Sequence, residues 1–314
     1  MHNGKLFANT YGFFSEEKEE YIITRPETPK PWVNVISNGD YGLIISQTGG
    51  GYSWRTHATL NRLTRWEQDL VKDEWGKYLY LRDEETGKFW SLAWKPVCRQ
   101  PERYECRHGL GYTVISSLNK GIESTLTVFI PCDEPLEVWL VKLRNLSDRP
   151  RRLSLVTYFE WLLGAAPDWR REFHRTFIEA RYDHGLGAIL AANRLWELPG
   201  ADQGNWNRSW DYIAFHTASP PPSGCVCDKE AFLGRYGSVQ RPRAVLHGYP
   251  PQNKGLCGGD PIASLCVDVS LAPGEEKTIV FTLGATERLK EAEELGVKYR
   301  DVRVAEESLT KVHA

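Results

Sequence analysis

Residues 48–54, Thr-Gly-Gly-Gly-Tyr-Ser-Trp, form a glycine-rich run, and cations with aromatic neighbours follow it at Arg55, His57, Arg62, Arg65 and Trp66. A phosphate-cradling loop would continue into Gly-Lys-Ser/Thr opening a helix, so that backbone N–H groups converge on the anion. This run does not. Its glycines let the backbone pass close to another segment. The three arginines among aromatics, with Tyr52 beside them, fit either the lining of a sugar or phosphate pocket or a hydrated strand face.

A second candidate lies at residues 168–175, Asp-Trp-Arg-Arg-Glu-Phe-His-Arg, which follow Trp161-Leu162-Leu163-Gly164 and break a strand rhythm. Such a polar loop is either a binding element or an ordinary surface connection. Glycoside cleavage needs one carboxyl as acid and another as base or nucleophile across the bond. The acidic clusters Glu16-Glu17, Glu19-Glu20, Asp83-Glu84-Glu85 and Glu293-Glu294 sit in polar or amphipathic contexts and are expected in solvent. Asp168 and Glu172 are better placed, but the sequence offers neither a partner. With no Gly-x-Ser-x-Gly and no His-Glu-x-x-His, no catalytic residue is assigned.

The seven cysteines lack the dense spacing of a disulfide framework. Cys98, Cys106, Cys132 and Cys266 stand in apolar or strand-like contexts and are expected as buried free thiols. Cys225-x-Cys227 with Cys257 and Cys266 departs from the usual C-x-x-C bite, and no histidine stands at finger spacing, so no metal site is expected.

The elements that must carry these residues read as strands. Segments 32–36 and 41–46 flank the turn Ser37-Asn38-Gly39-Asp40. Segments 77–82 and 88–92 flank 83–87, a hairpin loop with glycine near its end. Alternation continues at 112–116, 123–130, 136–143, 153–160, 262–269 and 277–283. From Glu287 the rhythm changes: Leu289, Ala292 and Leu295, then Val302, Ala305, Leu309 and Val312, follow helical spacing with Glu and Lys opposite. That apolar stripe needs a surface, either the sandwich or another domain. The expected fold is all-β, a large antiparallel β-sandwich followed by C-terminal linker helices. A propeller is disfavoured because no internal repeat is visible.

Composition narrows the partners. In 314 residues the net charge is −2, and Lys and Arg are spread along the chain, so nucleic acid is not an expected partner. The apolar stretches are strand-length and the start is unlike a signal peptide; a cytoplasmic protein off the membrane is expected. Twelve Trp beside 14 Tyr and one Met suit a large β core, and equally suit stacking on pyranose rings.

Several ordered stretches resemble the amino-terminal domain of glycoside hydrolase family 94 phosphorylases, formerly glycosyltransferase family 36. They are YIITRPETP at 21–29 with Pro31-Trp32, GGGYS at 49–53, RLTR at 62–65, GKYLYLRD at 76–83, YECRHGLGY at 104–112, YFEW at 158–161 and EAFLGRY at 230–236. The features look closest to the cellobiose, cellodextrin and laminaribiose phosphorylase branch. The resemblance implies a supersandwich domain at 1–285 and a truncated helical linker at 286–314. The complete enzyme would split a β-glucoside with inorganic phosphate as co-substrate, inverting the anomeric centre to give α-glucose 1-phosphate, with no other cofactor. Its general acid would sit on an (α/α)6 barrel outside this chain, which alone would be inactive. The family loop of aromatic, polar residue and Arg matches Phe173-His174-Arg175, with His174 where relatives often carry Gln. By that similarity Arg175 would donate to acceptor-side sugar hydroxyls. Arg55, Arg62, Arg65 and Tyr52 would form the rim. The implied partners are an oligosaccharide, the helical-barrel domain or subunit, and a second copy in a homodimer. A stand-alone β-glucan-binding protein and a structural oligomerisation module are the alternative readings.

Overall fold

A computed structural model describes residues 6–17, 19–166, 174–194, 209–249 and 255–314. Among these residues the chain forms twenty strands and four α-helices. The first strands are β1 (Gly12–Phe14), β2 (Glu20–Ile23), β3 (Val33–Ser37), β4 (Tyr41–Ser46), β5 (Gly51–Arg55), β6 (Arg62–Thr64), β7 (Tyr78–Asp83) and β8 (Phe89–Ser91). Then come β9 (Arg103–Gly109), β10 (Tyr112–Asn119), β11 (Ile122–Phe129), β12 (Leu136–Asn145), β13 (Arg151–Gly164), β14 (Ile178–Asp183), β15 (Ala188–Asn193), β16 (Ile213–Ser219) and β17 (Gly224–Asp228). Two short helices, α1 (Lys229–Leu233) and α2 (Arg243–Leu246), precede β18 (Gly255–Cys257), β19 (Pro261–Leu271) and β20 (Glu276–Thr286), and α3 (Leu289–Lys298) and α4 (Val302–His313) follow.

The strands form two antiparallel sheets. The larger runs β1-β2-β9-β10-β11-β12-β20-β16-β15-β14-β18, and the smaller runs β17-β19-β13-β6-β5-β4-β3, with β7 on β13 and β8 on β7. The expected all-β sandwich with C-terminal helices is the fold observed.

The middle strands, expected from alternation, are buried on both faces, so apolar residues also occupy successive positions along them. On β12, Trp139, Val141 and Leu143 face the core between the sheets. Val138 and Leu140 point the other way, into a second core closed by Ala292, Tyr299 and Ala305 of the terminal helical segment. The sandwich itself therefore covers the helical stripe. On β13, Leu153, Leu155 and Phe159 face the central core, whereas Val156 and Tyr158 face a third core with Phe232 and Val245 of the two short helices.

Local chemistry closes the turns. The Asp83 carboxylate accepts the N–H groups of Glu85 at 2.9 Å and Thr86 at 3.0 Å, and Gly87 adopts a φ of +67°, so the β7–β8 loop folds back as a hairpin. Asp83 is consequently buried and paired with Arg151 at 2.6 Å, unlike its exposed neighbours Glu84 and Glu85. The expectation of a solvated cluster fails there because the turn needs an acceptor. Cys106 and Cys266 are buried, but Cys132 is exposed on the turn after β11 and Cys98 is half-buried.

Candidate functional site

Near the end of β13, Glu160 turns away from the central core, between Phe159 and Trp161, which face it. Its carboxylate is 3% exposed and surrounded by cations: Lys229 Nζ at 2.7 Å, an Arg175 NH2 at 2.9 Å and an Arg65 NH1 at 3.1 Å. The Tyr158 hydroxyl donates to the same group at 2.9 Å. Burial alone would raise the carboxyl pKa. The positive charges of Arg175 and Lys229, with Arg65 adding, outweigh it and bring the value to about 2. Glu160 is therefore an ionised anchor at any physiological pH and not a proton donor.

Asp260 lies on the solvent side of this cluster. It pairs with Arg175 and stands 3.2 Å from Lys229 Nζ. Among the described residues the two carboxylates are thus shared by three cations, with Arg175 and Lys229 bridging Glu160 to Asp260. Lys229 opens α1, whose cap is Asp228: its carboxylate accepts from Glu230 N at 3.2 Å and Ala231 N at 3.3 Å. Arg175 lies on a 3-10 turn spanning His174–Phe177. His174 fixes that turn, because its buried Nε2 donates to the Leu162 carbonyl oxygen at 2.8 Å. Arg175 also donates to Trp161 O at 3.3 Å, so its guanidinium has little rotational freedom left.

A stack of cations and rings continues along the same region. The Arg62 guanidinium sits 4.0 Å from the Tyr52 ring centre and 6.0 Å from Trp66, and it donates to Trp66 O at 3.0 Å. The Tyr52 and Trp66 rings are 5.1 Å apart. Arg65 lies 4.5 Å from the Trp75 ring. Trp75 and Asp73 hold φ of +55° and +48°, strained for side chains of this size. The glycine run accommodates this segment. A Cβ on Gly50 would meet the Asp73 carboxylate at 2.5 Å, and one on Gly76 would meet Gly49 O at 2.4 Å. Asp73 in turn accepts from the hydroxyls of Ser46 at 2.6 Å and Thr48 at 2.5 Å. The close neighbour that the glycines serve is thus the 73–76 segment.

The structure brings Arg65 and Arg175 together on Glu160 and places Tyr52 and Arg62 in the adjoining stack. Arg55 goes elsewhere: it pairs with Asp40, donates to Ala285 O at 3.2 Å and lies 5.3 Å from the Tyr212 ring, at the seam with the larger sheet. His174 points into the protein. Asp168, Glu172 and Phe173 lie outside the described residues. Sequence reasoning missed Glu160, Lys229, Asp260 and Trp75 as site residues. Glu160 did carry a signal, as the lone charge between Leu153 and Gly164; an ion in an apolar strand must be paired. The cysteines divide between faces, Cys225 and Cys227 in the central core and Cys266 in the third.

A family model for the glycosyl hydrolase 94 supersandwich domain matches residues 19–302. The chain belongs to this family. It is 31% identical over 296 residues to an N,N'-diacetylchitobiose phosphorylase of Vibrio furnissii, covering 93% of this chain and 35% of that protein. It is 32% identical over 288 residues to a solabiose phosphorylase of Paenibacillus borealis, covering 91% and 36%. The chain thus spans about a third of the length of these curated relatives. Among solved structures, a kojibiose phosphorylase from the human microbiome superposes with a TM-score of 0.51 at 8% identity, over 96% of this chain and 38% of that one. That last likeness concerns the fold alone.

Proposed function

We propose that this chain is the amino-terminal sandwich of an inverting family 94 phosphorylase and lends sugar contacts to a site whose proton donor lies on a helical barrel. Arg175 carries the reading. Two carboxylates and a carbonyl oxygen hold its guanidinium on a pinned turn, the rigidity that hydroxyl recognition requires. The cluster of charged groups and the neighbouring Tyr52–Arg62–Trp66 stack suit the polar edge and apolar face of a pyranose. Glu160, held near pKa 2, cannot protonate a leaving oxygen. The chain therefore contributes positioning, and phosphate attacks on the barrel. The partners are a β-linked oligosaccharide, the barrel and a second copy of the chain, in the cytoplasm. Among the described residues no helix is long and apolar enough to cross a membrane.

The test is phosphate-dependent release of a sugar 1-phosphate from cellobiose, laminaribiose, N,N'-diacetylchitobiose and solabiose. The chain alone releases none, and together with a family 94 barrel it restores release from at least one. Arg175→Ala in that pair raises KM for the acceptor sugar in the synthetic direction by about tenfold, the loss expected for one charge-assisted hydrogen bond. Release by the unaided chain, or an Arg175→Ala pair with unchanged acceptor KM, refutes the assignment.

A further inference from the structure

The β7–β8 hairpin, the 95–99 segment and the loop entering α2 border a shallow, open groove of about 520 Å³, whose lining includes Lys88, Phe89, Val97, Arg99, Gln240 and Arg241. Three of these side chains are cations, and among the described residues no carboxylate lines the groove. Elsewhere arginines face acids: Arg82 meets Glu84, Arg103 meets Glu123, and Arg149 and Arg151 meet Asp83. Among the described residues no ion pair holds Lys88, Arg99 or Arg241. Their field reaches Lys120 on the β10–β11 turn: Arg99 foremost, with Lys88 adding, shifts that ammonium below its ordinary pKa.

The groove is preformed. The Tyr80 hydroxyl donates to Val239 O at 2.7 Å and ties down the loop that carries Gln240 and Arg241. Val97 N donates to Ser91 Oγ at 3.1 Å and fixes the opposite wall. Phe89 and Val97 pack on the third core, so an apolar wall stands half-exposed beside the cations. Three cations without an ion-pair partner around one surface groove favour an anion there, and an aromatic face next to them suits a ring attached to that anion.

We infer that this groove binds a phosphate monoester carried on a ring, either a sugar phosphate or a nucleoside monophosphate. The ester oxygens lie among Lys88, Arg99 and Arg241, the ring lies against Phe89, and Gln240 takes a ring polar group. Glucose 6-phosphate, AMP, inorganic phosphate and glucose are each titrated into the 314-residue chain by calorimetry at low salt. One of the two esters binds about tenfold or more tightly than inorganic phosphate, and glucose gives no heat; which ester wins identifies the ring. Arg99→Glu and Arg241→Glu are both exposed changes, and each weakens that ester by about tenfold or more, whereas Phe89→Ala reduces it to the level of inorganic phosphate. Neither ester exceeding inorganic phosphate overturns the inference. So does ester binding that survives both charge reversals in a chain with unchanged circular dichroism.

Discussion

Glu160 shows how a single buried charge organises the candidate site. Its folded pKa of about 2 against an ordinary 4.5 means that folding favours the ionised form, by about 3 kcal/mol at neutral pH. Glu160→Gln keeps the volume but leaves Arg65, Arg175 and Lys229 facing one another. Urea unfolding at pH 7 is expected to show a loss of about 3 kcal/mol. The pKa is depressed in the folded state, so this stabilisation is complete above the unfolded value and fades as pH falls from about 4.5 towards 2. The gap between the two proteins must therefore close on acidification; a variant as stable as the parent at pH 7 would dismiss the anchor. The cations were legible one by one, since Arg62, Arg65 and Arg175 stand among aromatics or in a strand-breaking loop. Their convergence was not. Lys229 and Asp260 reach Glu160 only through the pairing of β19 with β13, a long-range contact that local pattern does not encode.

At the scale of elements, the two sheets are joined by polar groups as well as by packing. Lys77 is buried, with its Nζ 2.6 Å from Glu137 of β12 in the larger sheet and 2.6 Å from Ser53 Oγ of β5 in the smaller. Trp139 Nε1 completes the carboxylate at 2.7 Å. Lys77→Met strands a charged Glu137 in the core and is expected to cost about 3–5 kcal/mol, whereas Lys77→Met with Glu137→Leu recovers most of that loss. Paired chemical denaturation of the two variants decides it; equal stability of the single and double variants would mean the ions do not depend on each other. A different test suits the helical layer. Ala305 is buried beneath α4 against the larger sheet, so Ala305→Glu forces a carboxylate into that core and detaches the layer. Limited proteolysis should then cut within residues 287–314 while the sandwich survives, and a protected tail would contradict the packing. Strands such as β12 and β20, buried on both faces, were legible in the sequence as strand segments of regular rhythm, and the amphipathic stripe after Glu287 marked α3 and α4. Strands β1, β2, β5, β6, β9 and β14 to β18 were not read. They are short, rich in small or polar residues, and held by sheet neighbours rather than by their own alternation.

Across the whole molecule, two histidines make stability depend on pH above the range where carboxylates titrate. His216 of β16 lies between the sheets, where its Nδ1 donates to Thr282 O at 2.8 Å and its Nε2 takes the Thr157 hydroxyl of β13 at 2.9 Å. His108 of β9 repeats the arrangement, donating to Trp32 O at 3.0 Å and meeting the Thr113 hydroxyl at 3.0 Å. In each ring one nitrogen gives a proton to a carbonyl and the other accepts from a hydroxyl, which satisfies the neutral form. Burial lowers both pKa values from 6.5 to about 4. Below 6.5 the unfolded chain binds protons that the folded chain refuses, so the stabilisation present above 6.5 is lost progressively down to about 4. At pH 5 each histidine has given up about 2 kcal/mol, and the pair about 4 kcal/mol. Urea midpoints measured at fixed ionic strength from pH 7.5 to 5 should fall steadily across this window, ahead of any Glu160 titration. His216→Gln, which keeps a donor and an acceptor but cannot charge, should be less stable at pH 7.5 and show about half the slope. A profile flat between pH 7 and 5 would mean that both rings admit a proton without resisting the fold, and that the seam between the sheets is wetter than its packing indicates.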